Sequence, residues 1–355
     1  MSPFCSIRLT LFENYGTIWT YSRHKESLQV QLKEEILQIL EENKGSYISG
    51  EQIAEKLFVS RNAVWKTVDS LKKDGYQIDA VRKRGYCLSK NSNIFSVQAI
   101  SAMLPASLRK FINIEIKAST GSTNTDLKKT AENGASEGAV LIALEQTGGK
   151  GRLGRNFYSP KQTGLYMSIL LCPTFPAEKS LYITTCAATA VSEAIDCTAN
   201  VKSAIKWVND VYLDGKKVSG ILTEASLDFE SGGLHYAVCG IGVNISTEFF
   251  PDDLGSIAGA ISDGKKDLRA KLAAEIITRF FGYYNALEKL EFLGEYRRRS
   301  FLIGKRIEFI MNNKNFSGTA EDIDEKARLV VKLDNGERMA LSSGEVQLKK
   351  GDIIR

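Results

Sequence analysis

Gly148-Gly149-Lys150-Gly151-Arg152-Leu153-Gly154-Arg155 puts four glycines and three permanent cations into eight residues, directly after the apolar run Ala139-Val140-Leu141-Ile142-Ala143-Leu144. Glycine lets a backbone come close to a ligand and reach positive φ. Lysine and arginine bring charge-assisted donors suited to phosphate and carboxylate. Folding alone gives little reason to concentrate both kinds of residue there. The expected task of the loop is to close over an anion.

Outward from this loop, Phe95 to Ser300 reads as a mixed α/β domain. Ile112–Lys117, Gly138–Leu144, Leu165–Leu171, Ala204–Trp207, Val211–Leu213, Val218–Glu224 and Tyr236–Ile245 are expected strands, with a turn at Asp214-Gly215. Asn124–Glu132, Glu178–Cys197 and Leu268–Leu290 are expected helices. Two further polar clusters flank the loop along the chain. Ser119-Thr120-Gly121-Ser122-Thr123-Asn124 falls at a strand-to-helix junction, where an N-cap accounts for one hydroxyl and not for all of them. Lys206-Trp207-Val208-Asn209-Asp210 sets a cation, an amide and a carboxylate at the end of a strand. Taken singly these residues have plainer readings. Asn209 and Asp210 suit an Asx turn, Trp207 suits packing, and Asn244 suits bracing a neighbouring loop. The three clusters together, in order, are specific.

Upstream, Leu32 to Leu88 reads as three short helices and a hairpin. Ile36, Leu37, Ile39 and Leu40 form an apolar stripe, and Ser49-Gly50-Glu51-Gln52 has capping-box form. Ser60 is placed to cap a third helix with Val64, Val68 and Leu71 on its inner face. Two helices joined by a tight turn make a helix-turn-helix, whose second member enters the major groove. Ser60, Arg61, Asn62 and Lys66 are the candidate DNA contacts there. Arg82-Lys83-Arg84 forms the basic tip of a wing suited to phosphate. Charge alone would favour a solvated helical bundle, since Gln31–Lys90 holds eleven Lys/Arg against nine Asp/Glu. The ordered caps, helix spacings and basic hairpin favour a winged helix-turn-helix. Trp65 reads as either a core anchor or a backbone contact, with the core preferred.

Beyond Ser300, Arg306–Met311, Phe316–Ile323, Leu329–Leu333 and Arg338–Leu341 are expected strands around an Asp334-Asn335-Gly336 turn, which suggests a small β-barrel. The whole chain of 355 residues is long enough for two or three domains, and 43% hydrophobic residues supply their cores. A net charge of +5 permits a nucleic-acid partner without demanding one. Six cysteines without a C-x-x-C pair suit a reduced, cytoplasmic protein, and two histidines argue against a histidine-built metal site. No apolar run reaches membrane-spanning length. Residues 1–30 make a poor signal peptide and read as a disordered extension or an upstream start-site artefact.

The chain resembles the biotin protein ligases. Those enzymes carry, in order, an STN segment, a GRGRxGR loop, a KWPND segment, K-x-x-G-I-L-x-E and G-I-G-x-N. Here stand Ser122-Thr123-Asn124, Gly149–Arg155, Lys206–Asp210, Lys217-Val218-Ser219-Gly220-Ile221-Leu222-Thr223-Glu224 and Gly240-Ile241-Gly242-Val243-Asn244. Lys150 replaces a common arginine and Val208 the usual proline. The resemblance covers Leu32 to the C-terminus and implies a winged helix over 31–90, a class II synthetase-like ligase domain over 95–300 and an SH3-like β-barrel over 301–355.

It also implies a reaction: biotin and ATP give biotinyl-5′-AMP, with Mg²⁺ offsetting phosphate charge, and the biotinyl group passes to a lysine of a biotin carboxyl carrier protein. Ser122, Thr123, Asn124, Gln146, Lys150, Gly151, Arg152 and Lys206 are the implied biotin site. Arg152, Arg155, Lys206, Asn209 and Asn244 are the implied ATP site, with Lys206, Arg152 and Arg155 catalytic and Asp210 a supporting acid. The bifunctional members repress biotin genes as homodimers on operator DNA, with no membrane partner. The alternatives are a ligase whose winged helix no longer regulates, a repressor that only senses a small anion, and a lipoate-type ligase.

Overall fold

The computed structural model describes residues 28–228, 232–264, 267–311 and 314–348. Residues 1–27, which make up most of the expected extension, lie outside that range. The chain divides into two compact units, Met1–Ala102 and Met103–Arg355.

Among the described residues the first element of this unit is α1, a helix over residues 28–42 that starts four residues before the amphipathic pattern does. Next come α2 (Gly50–Leu57), α3 (Arg61–Lys73), β1 (Ile78–Val81) and β2 (Gly85–Leu88). The capping box forms as its sequence requires. Gln52 N donates to Ser49 Oγ at 3.0 Å, and Ser49 N donates to Gln52 Oε1 at 2.9 Å. Ala63 N donates to Ser60 Oγ at 3.1 Å, which starts α3. Ile36, Leu40, Ile53, Val64, Val68 and Leu71 close one core. β1 and β2 pair antiparallel, Ile78 opposite Leu88, and hold the basic tip between them. Trp65 is not part of this core: its side chain is 56% exposed. The period explains why. Position 65 follows Val64 by about 100° around the helix, which turns it off the buried stripe.

α4 (Val97–Met103) falls at the boundary of the units. The second unit runs α5 (Ala106–Phe111), β3 (Asn113–Lys117), α6 (Thr123–Glu132), β4 (Ala139–Ala143), β5 (Gly164–Leu171), α7 (Leu181–Ala199), β6 (Ala204–Lys206), β7 (Asp210–Leu213), β8 (Lys216–Leu227), β9 (Leu234–Asn244), α8 (Asp252–Gly255), α9 (Arg269–Tyr284), α10 (Glu291–Arg299) and β10 (Arg306–Met311), β11 (Lys314–Ile323), β12 (Leu329–Leu333), β13 (Arg338–Leu341) and β14 (Val346–Leu348).

Seven strands form a mixed sheet in the order β3-β4-β5-β9-β8-β7-β6. β3 and β4 are parallel because α6 crosses between them, and the remaining pairs are antiparallel. All eight residues of β5 are buried, as its unbroken apolar run requires. α7 packs on α9 and buries Thr185 and Thr189 without loss, since each hydroxyl donates to a carbonyl one turn back, at 3.0 and 2.9 Å. The expected long helix over Leu268–Leu290 ends at Tyr284, and Leu290 takes a left-handed conformation (φ 51°) before α10.

The C-terminal strands form one antiparallel sheet, β13-β12-β11-β10-β14. β14 was not among the expected strands. Barrel closure needs a ladder between the terminal strands with matched tilt and stagger. Among the described residues the four-residue β13 and three-residue β14 make no such ladder, so the expected small barrel is seen there only as a five-stranded sheet without closure.

Candidate active site

The C-terminal ends of β4 and β6 and the middle of β8 and β9 surround a cavity of about 410 Å³, within the range of small-ligand sites. Ser122, Thr123, Asn124, Gln146, Lys150, Gly151, Arg152, Arg155, Lys206, Asn209, Asp210 and Asn244 all line it. Three clusters separated by dozens of residues in sequence therefore meet in one place.

One end is a closed polar network. Gln146 Oε1 accepts from Thr123 N at 2.9 Å and Thr123 Oγ1 at 3.1 Å, while its Nε2 donates to Ser159 Oγ at 3.0 Å. Asn124 Nδ2 donates to Glu224 Oε2 at 2.8 Å and Leu222 O at 3.2 Å, and Ser168 Oγ lies 2.6 Å from Asn124 Oδ1. Lys128 Nζ meets Glu224 Oε1 at 2.6 Å. Burial alone would raise the Glu224 pKa; the Lys128 and Asn124 hydrogen bonds outweigh it and hold the carboxyl below the usual range. Ser122 is the N-cap of α6. The amides are thus fixed before any ligand arrives.

The other end is cationic. Lys206 sits on the pocket wall, where burial lowers its pKa below that of ordinary lysine, with Asp210 and Glu345 opposing the shift. Arg152 Nη1 donates to Asn209 Oδ1 at 2.9 Å, and Asn209 Nδ2 donates to Ile221 O at 2.9 Å. Lys217 pairs with Asp210 at 2.6 Å and Arg155 with Glu345 at 2.7 Å. Asn244 Nδ2 donates to Gly259 O at 3.1 Å, while its Oδ1 is buried without a protein partner. Trp207 is buried and donates from Nε1 to Ala327 O at 3.1 Å; Tyr296 OH donates to Val208 O at 2.9 Å. These two bonds pin the segment that carries Lys206 and Asn209. The Trp207–Val208 peptide is cis.

The glycine-cation loop forms the roof. Gly151 N donates to Arg155 O at 2.7 Å, and Leu153 (φ 55°) lies 76% exposed at the tip. Lys150 is exposed.

Sequence reasoning missed part of the lining. Phe157, Tyr158, Phe250, Leu254 and Ile257 give the pocket an apolar flank, and Gly344, Glu345 and Gln347 reach it from the C-terminal sheet. The run Phe249-Phe250-Pro251 in a loop was a signal that could have been read, since exposed aromatics in loops favour ligands. Glu345 carries no local signal at all.

The glycines of β9 are required by close approach. A Cβ on Gly240 would lie 2.2 Å from Asn124 Oδ1, and one on Gly242 would lie 2.5 Å from the Phe157 ring. Gly240→Ala should displace Asn124 from Glu224 and lower stability by about 1–3 kcal/mol, the usual penalty of overpacking. Thermal melting checks this; an unshifted midpoint would remove the close-packing argument.

In the first unit, Ser60, Arg61, Asn62, Lys66, Arg82, Lys83 and Arg84 are all exposed. The Ser60 hydroxyl is engaged as a cap, and the Arg84 guanidinium sits 4.1 Å from the centre of the Tyr47 ring.

The fold and site define a mixed-sheet enzyme domain built around an anion pocket, on a chain that also carries a helix-turn-helix unit. Comparison with known proteins agrees. Residues 116–244 match the Biotin/lipoate A/B protein ligase family, residues 33–87 an HTH domain, and residues 302–349 the Biotin protein ligase C terminal domain. The chain is 32% identical over 316 residues to the bifunctional ligase/repressor BirA of Bacillus subtilis, covering 86% of this chain and 95% of that protein. It is 30% identical over 243 residues to the biotin--[acetyl-CoA-carboxylase] ligase of Mycobacterium tuberculosis, covering 66% and 88%. The biotin protein ligase from Aquifex aeolicus in complex with biotin and ATP superposes with a TM-score of 0.58 at 27% identity, covering 67% and 98%. The chain belongs to the biotin protein ligase family, the group that includes the bifunctional ligase/repressors.

Proposed function

We propose that this protein activates biotin with ATP and transfers it to a lysine of a biotin carboxyl carrier protein, and that its helical unit represses biotin genes when the adenylate is bound. The observation that carries the reading is the convergence of every sequence-selected ligase residue on one cavity with a fixed amide end and a cationic end.

The cavity divides naturally. The Ser122–Asn124 and Gln146 network takes the ureido ring of biotin, which needs both donors and acceptors. The carboxylate then lies toward Lys206. In the first step a biotin carboxylate oxygen attacks the α-phosphorus, the α–β phosphoanhydride bond breaks, and pyrophosphate leaves with the electron pair. Two anions must meet, so preorganised cations at that point lower the barrier. Lys206 bridges carboxylate and α-phosphate; Arg152 and Arg155 hold the phosphoryl oxygens. Asn244 offers its free Oδ1 to the nucleotide. In the second step the carrier amine attacks the anhydride carbonyl, AMP departs, and the amine loses its proton.

Mg²⁺ is commonly held by one or two carboxylates plus substrate phosphates, and when bound it would neutralise triphosphate charge. Asp210 and Glu345 are the carboxylates on the pocket lining, each already paired with a cation. They suit an ion that arrives with the nucleotide rather than a resident metal. No cluster of three or more metal-binding side chains occurs among the described residues.

We assign DNA binding to 31–90, catalysis to 95–300 and an SH3-like supporting role to the C-terminal sheet. Five free cysteines among the described residues suit the cytoplasm. A winged helix on a two-fold operator suits a homodimer. ATP–pyrophosphate exchange with biotin, and none with lipoate, is the expected result; exchange with lipoate alone would overturn the assignment. A mobility shift that needs biotin plus ATP would tie repression to the adenylate, and its absence would leave a ligase without a regulatory role. Because the loop tip is exposed and glycine-rich, trypsin should cut near Arg152 in the free protein, at the exposed Lys150 or Arg155. Biotin plus ATP should protect these bonds, because a closed lid excludes water and protease together. Equal cleavage in both states would remove the lid role.

A further inference from the structure

We infer that Trp65 is a direct apolar contact to duplex DNA; the inference rests on the DNA-binding half of the proposed function. Folding does not explain the residue. Val64, Val68 and Leu71 supply the inner face of α3, while the Trp65 indole is 56% exposed at mid-helix. A solvated helix position is better filled by Ala, Lys or Glu, so the chain keeps a large apolar ring where neither propensity nor packing asks for one.

Its neighbours say what covers it. Arg61 lies one turn before Trp65, and Asn62 and Lys66 continue the same exposed stripe. Among the described residues Arg61 and Lys66 take part in no ion pair, whereas Asp69 further along is neutralised by Lys73 at 2.8 Å. The partner of this face is therefore a polyanion that also presents apolar surface. Duplex DNA does so through its sugars and, in the major groove, through thymine methyl groups. A second copy of this chain would bring the same cations face to face and is disfavoured by charge.

The sequence holds three tryptophans, Trp19, Trp65 and Trp207, and Trp207 is buried in the catalytic unit. In a Trp19→Phe background of the full chain, emission should therefore report Trp65 against a buried reference. The probe is a duplex selected from a randomised pool by the wild-type protein loaded with biotin and ATP. Adding it should quench or shift the emission, and a further Trp65→Phe change should remove the response. Trp65→Ala should weaken binding about tenfold, the worth of one good base-edge contact. It should leave the salt dependence unchanged, while Lys66→Ala lowers the salt slope by about one. ATP–pyrophosphate exchange should be unaffected by Trp65→Ala, which shows that the catalytic unit still folds, and an unchanged far-ultraviolet circular dichroism spectrum and melting profile should show the same of the first unit.

Tight binding without an emission change, Trp65→Ala affinity within twofold of wild type, or a reduced salt slope in Trp65→Ala would each overturn the contact. So would an emission change that follows protein concentration without DNA, which would place Trp65 between copies. Failure to select any duplex would instead overturn the DNA-binding reading itself.

Discussion

Lys206→Ala is expected to abolish biotin-dependent ATP–pyrophosphate exchange. Removing one preorganised charge from the point where transition-state charge develops costs about 10²–10³ in kcat, and Lys206 is asked to serve two anions at once. It lies on the pocket wall, one strand end away from Asn209, on a segment fixed by Trp207 and Tyr296. The backbone that presents the side chain is therefore in place before binding. A pH profile sharpens the test. Burial lowers the Lys206 pKa, so the ammonium is lost on the alkaline side earlier than for an ordinary lysine. The value of kcat/KM for adenylation, which reports the free enzyme, should fall along that limb. Lys206→Arg, which does not titrate there, should flatten the limb while losing rate. Near-normal exchange by Lys206→Ala would refute the role. An alkaline limb unchanged in Lys206→Arg would assign the titration to another group.

The legible parts of the molecule were those fixed by local chemistry. The capping box at Ser49, the Ser60 cap and the apolar run of β5 each follow from a few adjacent residues, and each formed as read. The site was legible because its motifs are dense and ordered. What escaped was non-local. β14 is three residues long and exists only because β10 offers it an edge, so no period could announce it. Glu345 joins the pocket only through the fold of the C-terminal sheet onto the roof loop. Trp65 was misread because aromatic residues are usually buried, whereas helix period set its side chain outside the stripe. The internal hydrogen bonding of Asn124 and Gln146 also could not be read from residue type: the same amides serve a free ligand or a closed network equally well.

That closed network shifts attention to the roof, where the sequence left the loop's individual cations undivided. Arg152, Arg155 and Lys150 are not equivalent. Arg152 reaches Asn209 at 2.9 Å and the Gly344 carbonyl at 3.4 Å, which ties the roof both to the wall that carries Lys206 and to the C-terminal sheet. Arg155 holds an exposed pair with Glu345, and surface pairs are worth about 0–1 kcal/mol. Lys150 is exposed and in no ion pair among the described residues.

Arg152→Ala should therefore do more than either of the other two changes to open the roof over a formed adenylate. A hydrogen bond to a charged group contributes about 1.5–3 kcal/mol, so retention should fall by roughly ten- to a hundredfold. The anhydride would then acylate any nucleophile in solution. Trapping with hydroxylamine reads this directly, as biotin hydroxamate formed per pyrophosphate released. The ratio should rise towards one in Arg152→Ala and stay low in Lys150→Ala, with Arg155→Ala between them. If Arg152→Ala slows pyrophosphate release but keeps the ratio low, Arg152 acts on the phosphoryl group alone and the roof is held elsewhere. If all three variants leak equally, the loop works by total charge, and the bond to Asn209 has no part in closing it.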